Sequence, residues 1–302
     1  MTPAVDVVIP TYNNVGDLRT CLDSLKNQAL ISGVFVCVDG STDGTRDFLR
    51  ETRFQFPLRT LEHRDHLNHG RAATRNLALP FLTAEFTLLL DSDMQLRSDA
   101  VARHAESLEK RPGTVSIGRV IFLNTAENLW ARYQGTRGMN KAAQGSVIRP
   151  LDFVTANTAL RTEDLVAVGG FDETLLGYGG EDTELGLRLA WERHVTFLFN
   201  GLAVASTVED KTVAVGLRQL RAFAQTNLRA IRRRHPEGPA PFWIDHAESD
   251  RLADRLLRFL LNPLSDRVAD VLLPRAPWSI QRRLLNYKVM RSVFAGYREK
   301  SA

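Results

Sequence analysis

Hydrophobic runs alternate with helix-spaced patterns through the first third of the chain. Short β-branched or leucine-rich runs predict strands at VDVVIP (5–10), VFVCVD (34–39), LRTLEH (58–63) and EFTLLL (85–90). Between and after them, apolar residues at helical spacing predict helices over 16–28, 41–51, 70–79 and 98–110. Strands that alternate with helices of this length indicate an α/β fold, a mostly parallel sheet flanked by helices.

The pattern changes after residue 113. Residues 114–207 are richer in glycine and less regular, with a predicted strand at DFVTAN (152–157) and a helix that begins at Glu181. From residue 213 onward the pattern predicts helices broken by prolines. We therefore expect an α/β domain over 1–214, with halves 1–113 and 114–214, and a helical C-terminal extension over 215–302.

Composition places the chain among ordinary globular proteins. Apolar residues make up 44% and charged residues 25% of its 302 residues. The N-terminus lacks the basic and apolar regions of a signal peptide, and no apolar run approaches the roughly 18 residues that span a bilayer. The two cysteines, Cys21 and Cys37, lack metal-like spacing and fit a reducing compartment. We expect a cytoplasmic protein.

Charge is distributed unevenly. Residues 1–214 hold 22 Lys and Arg against 27 Asp and Glu, whereas residues 215–302 hold 17 against 8. Segments 217–236 and 280–294 have apolar residues at helical spacing and arginines elsewhere around the helix. Their apolar stripes could pack on the protein or a second subunit, which leaves a homodimer open. They could instead meet anionic lipid at the inner face of the plasma membrane. Nucleic acid is disfavoured because no binding motif is present.

Acidic residues follow two of the predicted strands. Asp39 follows the strand at 34–38, and Asp91 follows the strand at 86–90. Ligands of parallel sheets bind beyond the carboxyl ends of the strands. Asp91 and Asp93 carry like charges separated only by Ser92, and a divalent cation such as Mg²⁺ or Mn²⁺ would remove the repulsion and also bind a diphosphate. The alternative is a pair of polar turns that lead into capped helices.

A third acidic segment is GYGGEDTELGLRL, residues 177–189. Its acids are favourable in the first turn of a helix, which is the structural interpretation. In the functional interpretation, one acid is a general base and Tyr178 offers an aromatic face to a sugar. The neighbouring glycines would let the backbone approach a ligand closely.

Five segments together, in chain order, resemble family 2 glycosyltransferases with the GT-A (Rossmann-like) fold: VVIPTYNN, VDGSTDGT, HGRAATRN, LLLDSDMQL and GGFDETLLGYGGEDTELGLRL. The resemblance covers roughly residues 4–200, and GYGGED is similar to the segment of chondroitin-polymerase and galactosyltransferase-type enzymes. It implies an inverting hexosyltransferase (EC 2.4) that moves a sugar from a nucleotide donor, expected to be a UDP-sugar, to a hydroxyl of a glycan or lipid-linked glycan.

The resemblance also implies roles for individual residues. Asp182 would be the general base, with Glu181 beside it, and Asp93 with Asp91 would hold Mn²⁺ or Mg²⁺. The residues expected at the nucleotide and donor are Pro10, Tyr12, Asp39, Arg75, Asp91 and Ser92, and those expected at the acceptor are Tyr178, Gly179 and Gly180. Related sequences often carry a further metal-binding histidine, but GLAVASTVEDK (201–211) has none. The metal would then rest on Asp93 and water, or recruit Glu209 or Asp210.

The sequence fits three alternatives to a glycosyltransferase to different degrees. An aspartate-nucleophile phosphatase is disfavoured because Met94 and Gln95 follow the Asp-Ser-Asp triplet. A sugar nucleotidyltransferase is disfavoured because no glycine-rich, arginine-containing loop follows VVIP. A non-catalytic protein that binds a sugar nucleotide or a membrane surface on a transferase fold stays open. We expect donor choice to depend on the pocket around Asn157 and Gly180.

Overall fold

The computed structural model describes residues 3–137, 142–236 and 244–299. Within these residues one sheet contains the strands β1 Val5–Thr11, β2 Ile31–Val38, β3 Leu58–Glu62, β4 Phe86–Leu90, β5 Gln95–Leu96, β6 Thr114–Phe122, β7 Val147–Ile148, β8 Asn157–Arg161 and β9 Thr196–Thr207. The α-helices are α1 Val15–Leu25, α2 Thr45–Glu51, α3 Arg71–Asn76, α4 Ala100–Lys110, α5 Leu129–Gln134, α6 Thr162–Ala167, α7 Glu181–Glu192, α8 Val213–Gln225, α9 Asn227–Arg234, α10 Ile244–Glu248, α11 Leu252–Leu260, α12 Pro263–Leu272 and α13 Trp278–Arg298.

The strand order is β3-β2-β1-β4-β8-β6-β9-β5, with β7 also paired to β9. Strands β3, β2, β1 and β4 are parallel, whereas β8 is antiparallel to both β4 and β6. Because β8 runs in the opposite direction, the segment that enters it lies beside the carboxyl end of β4, where Leu90 pairs with Asn157. The predicted α/β fold class is confirmed, and this antiparallel strand positions part of the site.

Both faces of the sheet are buried, as the continuous hydrophobic runs predict. Val7 and Ile9 of β1 belong to one core cluster, which includes residues of α1, α2 and α4. Val8 of the same strand belongs to the opposite cluster, which includes residues of α3, α6 and α7. Successive side chains of a strand point to opposite faces, so a strand covered on both sides is apolar at every position.

The strand predicted at DFVTAN is wrong except at its last residue. Asp152 ends a short 3₁₀ helix, and β8 begins only at Asn157. In the segment between them, Thr155 directs its backbone N–H to a carboxylate oxygen of Asp182 at 3.2 Å instead of to a neighbouring strand. The apolar pattern of this segment is that of a strand, but the carboxylate of Asp182 accepts the backbone N–H that a neighbouring strand would otherwise accept.

The chain divides into two compact units. The first comprises residues 1–124, 134–176 and 181–209 and contains the sheet. The second comprises residues 125–133, 177–180 and 210–302 and is helical, with a core that includes Trp130, Tyr133, Leu273, Leu285 and Val289. Across the described ranges, none of the helices has the length and apolar character needed to cross a membrane.

Candidate active site

The loops that follow β1, β2 and β4 are joined by hydrogen bonds. The backbone N–H of Asn13 donates to Ser41 Oγ at 3.0 Å, and the N–H of Thr42 donates to Asn13 Oδ1 at 2.7 Å. Asn14 Nδ2 donates to Ser92 Oγ at 3.4 Å. The sequence expectation that these strand ends lie at one edge of the sheet agrees with this arrangement, because the loop after β1 contacts both of the other loops directly.

Two of the expected nucleotide-binding residues lie at the end of β1. Pro10 is buried within the strand, opposite Cys37 of β2. Tyr12, two residues later, has left the strand, and 51% of its surface is exposed. Tyr12 therefore offers an exposed ring beside the strand ends, whereas Pro10 contributes to the frame of the sheet.

Asp39 is buried at the end of β2 and already has partners within the protein. Its carboxylate accepts the backbone N–H groups of His69 at 2.7 Å and Gly70 at 3.1 Å. The next residue, Gly40, has φ +69°, and a Cβ there would lie 2.6 Å from the carbonyl carbon of Leu67. Asp39 therefore holds the loop before α3 in place. Each carboxylate oxygen retains a second acceptor site, so a nucleotide contact at Asp39 stays a prediction.

Arg75, on α3, is the centre of a buried group of charges. Its Nη2 donates to Asp91 Oδ1 at 2.7 Å, and its Nη1 lies 3.6 Å from Glu181 and 3.9 Å from Asp182. Burial alone would lower the pKa of Arg75, but the carboxylates of Asp91, Asp182 and Glu181 raise it above its usual value. Nη1 is buried and makes no hydrogen bond to any described residue. It is a donor available to a ligand oxygen.

The Asp-Ser-Asp triplet forms a turn at the end of β4. The N–H of Asp91 donates to Ala156 O at 3.1 Å, and the N–H of Met94 returns to Asp91 O at 3.1 Å. Because Arg75 pairs with Asp91, the repulsion between the two acids is already reduced without a metal. The sequence interpretation attributed the reduction of this repulsion to a bound metal ion. In the structure, the side chain of Arg75 supplies part of this reduction.

Asp182 is in the first turn of α7 and is held by a residue that sequence reasoning missed. Thr155 Oγ1 donates to Asp182 Oδ1 at 2.7 Å. Burial and the neighbouring Glu181 raise the pKa of Asp182 to about 6, although Arg75 and the hydrogen bond from Thr155 act in the opposite direction. A carboxylate with this pKa can take up a proton near neutral pH, as a general base must. No sequence pattern singled out Thr155, because its partner is 27 residues away.

The three residues expected at the acceptor belong to the second unit. Gly180 has φ +96°, and a Cβ there would lie 2.7 Å from the Phe223 ring of α8. Asn227 Nδ2 of α9 donates to Gly179 O at 2.7 Å. The close approach that Gly180 permits is thus to helices of the protein itself, and an acceptor role for Tyr178, Gly179 and Gly180 stays a prediction.

The expectation that Asn157 shapes a donor pocket is wrong. Asn157 is 1% exposed, and its side chain accepts from or donates to His104, Arg119 O and Ala203 O. His104 in turn contacts Ser116 Oγ at 2.9 Å. Asn157 belongs to a satisfied polar network inside the first unit, because a buried amide must find hydrogen-bond partners.

Asp91 and Asp93 suit a metal ion that is shared with a substrate better than a metal ion held by the protein alone. Within the described part of the chain, no group of three or more His, Cys, Asp or Glu side chains is arranged to hold a metal ion. Asp91 and Asp93 are hard oxygen donors of the type that Mg²⁺ and Mn²⁺ prefer. These ions are commonly held by one or two carboxylates together with substrate phosphates. The residues present therefore fit a metal that binds with a nucleotide diphosphate, and they do not fit a metal cage made by the protein alone.

A parallel α/β half-sheet with acids at its strand ends, followed by an antiparallel strand and C-terminal helices, is the architecture of a GT-A glycosyltransferase. The family model described as glycosyl transferase family 2 matches residues 6–168, more than half of the chain, and the chain belongs to this family. A second model, described as the N-terminal domain of galactosyltransferase, matches residues 148–205, which include Glu181 and Asp182. The predicted family is confirmed.

Several proteins resemble this chain over more than half of its length. An alignment of 220 positions with validoxylamine A glucosyltransferase of Streptomyces hygroscopicus subsp. jinggangensis is 29% identical and covers 62% of this chain and 51% of that protein. An alignment of 219 positions with chondroitin synthase of Escherichia coli is 25% identical and covers 61% of this chain and 32% of that protein. The chain thus spans about half or less of the length of these relatives.

Solved structures resemble the fold over nearly the whole chain. The mannosyltransferase PcManGT from Pyrobaculum calidifontis, in complex with GDP-Man and Mn²⁺, has a TM-score of 0.64 at 20% identity and matches 99% of this chain and 89% of that one. S. aureus TarS 1–349, in complex with UDP-GlcNAc, has a TM-score of 0.56 at 17% identity, with 98% and 91% covered.

Proposed function

We propose that the chain is an inverting glycosyltransferase that moves a sugar from a nucleotide donor, expected to be a UDP-sugar, to a hydroxyl of a glycan or lipid-linked glycan. Membership of glycosyl transferase family 2 supports the transfer of a sugar. The structural relatives were solved with different nucleotide sugars, GDP-Man in one and UDP-GlcNAc in another. The choice of UDP therefore rests on the resemblance of the sequence motifs.

The observation that carries the proposal is the environment of Asp182. Its carboxylate is held by Thr155, lies beside Glu181 and Arg75, and has a pKa of about 6. At neutral pH it is ionised, yet it is basic enough to accept the proton of an acceptor hydroxyl as that hydroxyl attacks. An ordinary exposed aspartate has a pKa of about 4 and would be a poorer base.

The reaction is a single displacement. The acceptor oxygen forms a bond to the anomeric carbon, and the bond from that carbon to the diphosphate oxygen breaks with its electron pair. The proton of the acceptor hydroxyl passes to Asp182. The incoming and leaving oxygens lie on opposite sides of the carbon, so the anomeric configuration is inverted. No covalent bond to the protein is needed.

Arg75 and the strand-end loops would bind and orient the donor. The buried Nη1 of Arg75 is a donor for a diphosphate or sugar oxygen, and Nη2 keeps Asp91 in place. We also propose that the nucleotide contacts Tyr12, Asp39 and Ser92, which lie in the hydrogen-bonded loops after β1, β2 and β4. Glu181 sets the charge beside the base. A divalent ion held by Asp93 with Asp91 would neutralise the leaving diphosphate when it is bound.

The test is the substitution Asp182→Asn, because it keeps the shape of the side chain and removes the base. We expect turnover to fall by roughly a hundred-fold to ten-thousand-fold, which is the usual contribution of a general base. Binding of UDP with Mn²⁺, measured by calorimetry, should change little. The matched control is Glu192→Gln at the exposed end of the same helix, which should leave turnover unaltered.

Three outcomes would change the proposal. Normal turnover in Asp182→Asn would show that another group is the base. Binding of UDP or GDP without transfer or hydrolysis across a panel of their sugars would instead favour the non-catalytic alternative. If Mn²⁺ alone bound tightly without any nucleotide, the proposed shared metal site would be wrong, because the described residues offer no three-ligand group.

A further inference from the structure

Helices α11 and α12 carry their apolar side chains on the outside. Each has a stripe at positions i, i+4, i+7 and i+8, which lie on one face of a helix. The stripes consist of Leu252, Leu256, Phe259 and Leu260 on α11, and Leu264, Val268, Val271 and Leu272 on α12. Exposure of these eight residues ranges from 49% at Leu272 to 75% at Phe259. We call this surface the α11–α12 stripe.

The opposite, polar faces of both helices are turned inward and held there by ion pairs and hydrogen bonds. On α11, buried Asp254 pairs with His246 at 2.8 Å. On α12, Asp266 accepts from Lys288 at 2.7 Å and from Arg291 at 2.8 Å, both on α13. Because these contacts fix the rotation of each helix, the apolar stripe is held outward. Large apolar side chains exposed together on successive helices in this way indicate an interaction site.

The charges within the face of the α11–α12 stripe are basic, although exposed Asp245 and Asp250 precede the stripe in the chain. Arg255 and Arg267 occupy the same place on their helices, each three residues after the first residue of the stripe, and both are exposed. The acids of the two helices are committed to basic groups: Asp254 and Asp266 as above, and Asp270 to Lys288 at 2.8 Å. Other exposed arginines in this part of the chain are Arg251, Arg275, Arg282 and Arg283.

We propose that the α11–α12 stripe is a membrane-docking surface that binds anionic phospholipid. Leucine, valine and phenylalanine side chains would enter the boundary between headgroups and acyl chains, and the flanking arginines would meet lipid phosphates. A second copy of this chain fits less well. In a two-fold symmetric contact the same surface meets itself, which would place Arg255 and Arg267 against their own copies, while the acids of α11 and α12 are already paired.

This surface is not the one that the sequence indicated. The sequence directed attention to segments 217–236 and 280–294. In the second segment Ile280 is exposed, but the apolar residues that follow it at helical spacing are half-buried or buried, namely Leu284, Tyr287, Met290 and Phe294. The membrane surface proposed here rests on the exposure and charge of α11 and α12 and does not depend on the proposed glycosyl transfer. Lipid binding and turnover can therefore fail independently of each other.

The test is co-sedimentation of the full chain with vesicles of phosphatidylcholine, with and without phosphatidylglycerol. We expect binding to the anionic vesicles only, and weakening as salt is added. The double variant Leu256→Ser/Leu264→Ser should reduce the affinity for these vesicles by about tenfold or more, because it removes two apolar anchors. The control is Leu202→Ser, at a residue of the first unit that is 48% exposed, which should bind like the wild type.

Circular dichroism would establish that the variants are folded, which their exposed positions favour. Equal binding of the double variant and the wild type would overturn the proposal, as would equal binding to neutral and anionic vesicles. A third result would also overturn it: no vesicle binding by the wild type, together with a dimer in light scattering that the double variant converts to a monomer. That result would assign the α11–α12 stripe to a second copy of the chain.

Discussion

Two regions of this molecule reverse the usual distribution of charged and apolar residues in opposite ways. Around Arg75, in the first unit, an arginine and three carboxylates are gathered in the interior or at its edge. In the α11–α12 stripe, in the second unit, eight large apolar side chains face outward. Ordinary folding would place the charges outside and the leucines inside.

A specific set of contacts maintains each of these two unusual distributions, the buried charges and the exposed apolar side chains. Buried charges persist only when they are paired, and Arg75 supplies the pairing for Asp91, Glu181 and Asp182. Exposed leucines persist when the other side of the helix is tied down, as Asp266 does on α12. Sites at which a sequence departs from the folding rules are where function is expected. The charges around Arg75 are suited to catalysis, and the α11–α12 stripe is suited to binding a membrane.

The largest effect should come from Arg75→Met, which removes the charge and keeps much of the volume. Asp91, Glu181 and Asp182 would be left without their shared cation. We expect a loss of roughly 3–5 kcal/mol in the free energy of unfolding, the usual cost of breaking a buried ion pair. Urea denaturation measures it. The control Arg50→Met alters an exposed ion pair on α2 and should leave the unfolding midpoint nearly unchanged.

If Arg75→Met unfolded at the same urea concentration as the wild type, the three carboxylates would not depend on Arg75. The buried charges of the first unit would then be stable on their own, and pairing with Arg75 would not be what maintains them.

A smaller effect should separate the two faces of α12. Asp266→Ala removes one of the two acid partners of buried Lys288 and an acid partner of Arg291, so we expect a loss of about 1–3 kcal/mol in the free energy of unfolding. Leu264→Ser, on the exposed face of the same helix, should change it by no more than about 0.5 kcal/mol. Equal losses, measured by urea denaturation without lipid, would mean that the apolar face is covered in solution.

Much of the first unit could be predicted from the sequence. Hydrophobic runs identified β1, β2 and β4, since strands buried on both faces are largely apolar, and the half-exposed edge strand β3 was identified from LRTLEH. Acids directly after two of these strands indicated the edge at which the site lies. These signals are local, because each is carried by neighbouring residues.

The contacts that complete the site could not be predicted, because they join distant parts of the chain. Thr155 is in a segment whose apolar pattern is that of a strand, and its contact with Asp182 depends on where β8 begins. Gly180 was expected beside a ligand, but its partner is Phe223, 43 positions further along. The α11–α12 stripe escaped notice for a related reason. Amphipathic spacing predicts a helix but does not say which face points inward.

The most direct test of the central claim, that Asp182 is the base, is the pH dependence of kcat/KM. Burial and Glu181 raise the pKa of Asp182 to about 6, and only the ionised form can accept a proton. We therefore expect kcat/KM to be constant above this pKa and to fall as the pH decreases through about 6.

Thr155→Val sharpens the same measurement. It removes the hydrogen bond that favours the ionised carboxylate, so the acid limb should move to higher pH by roughly half a unit to one unit. The control Thr158→Val alters a threonine of β8 that bonds to Val154 O and should not move the limb. An activity that stayed constant from about pH 5 to pH 7 would contradict the assignment of Asp182, as would an acid limb unchanged in Thr155→Val.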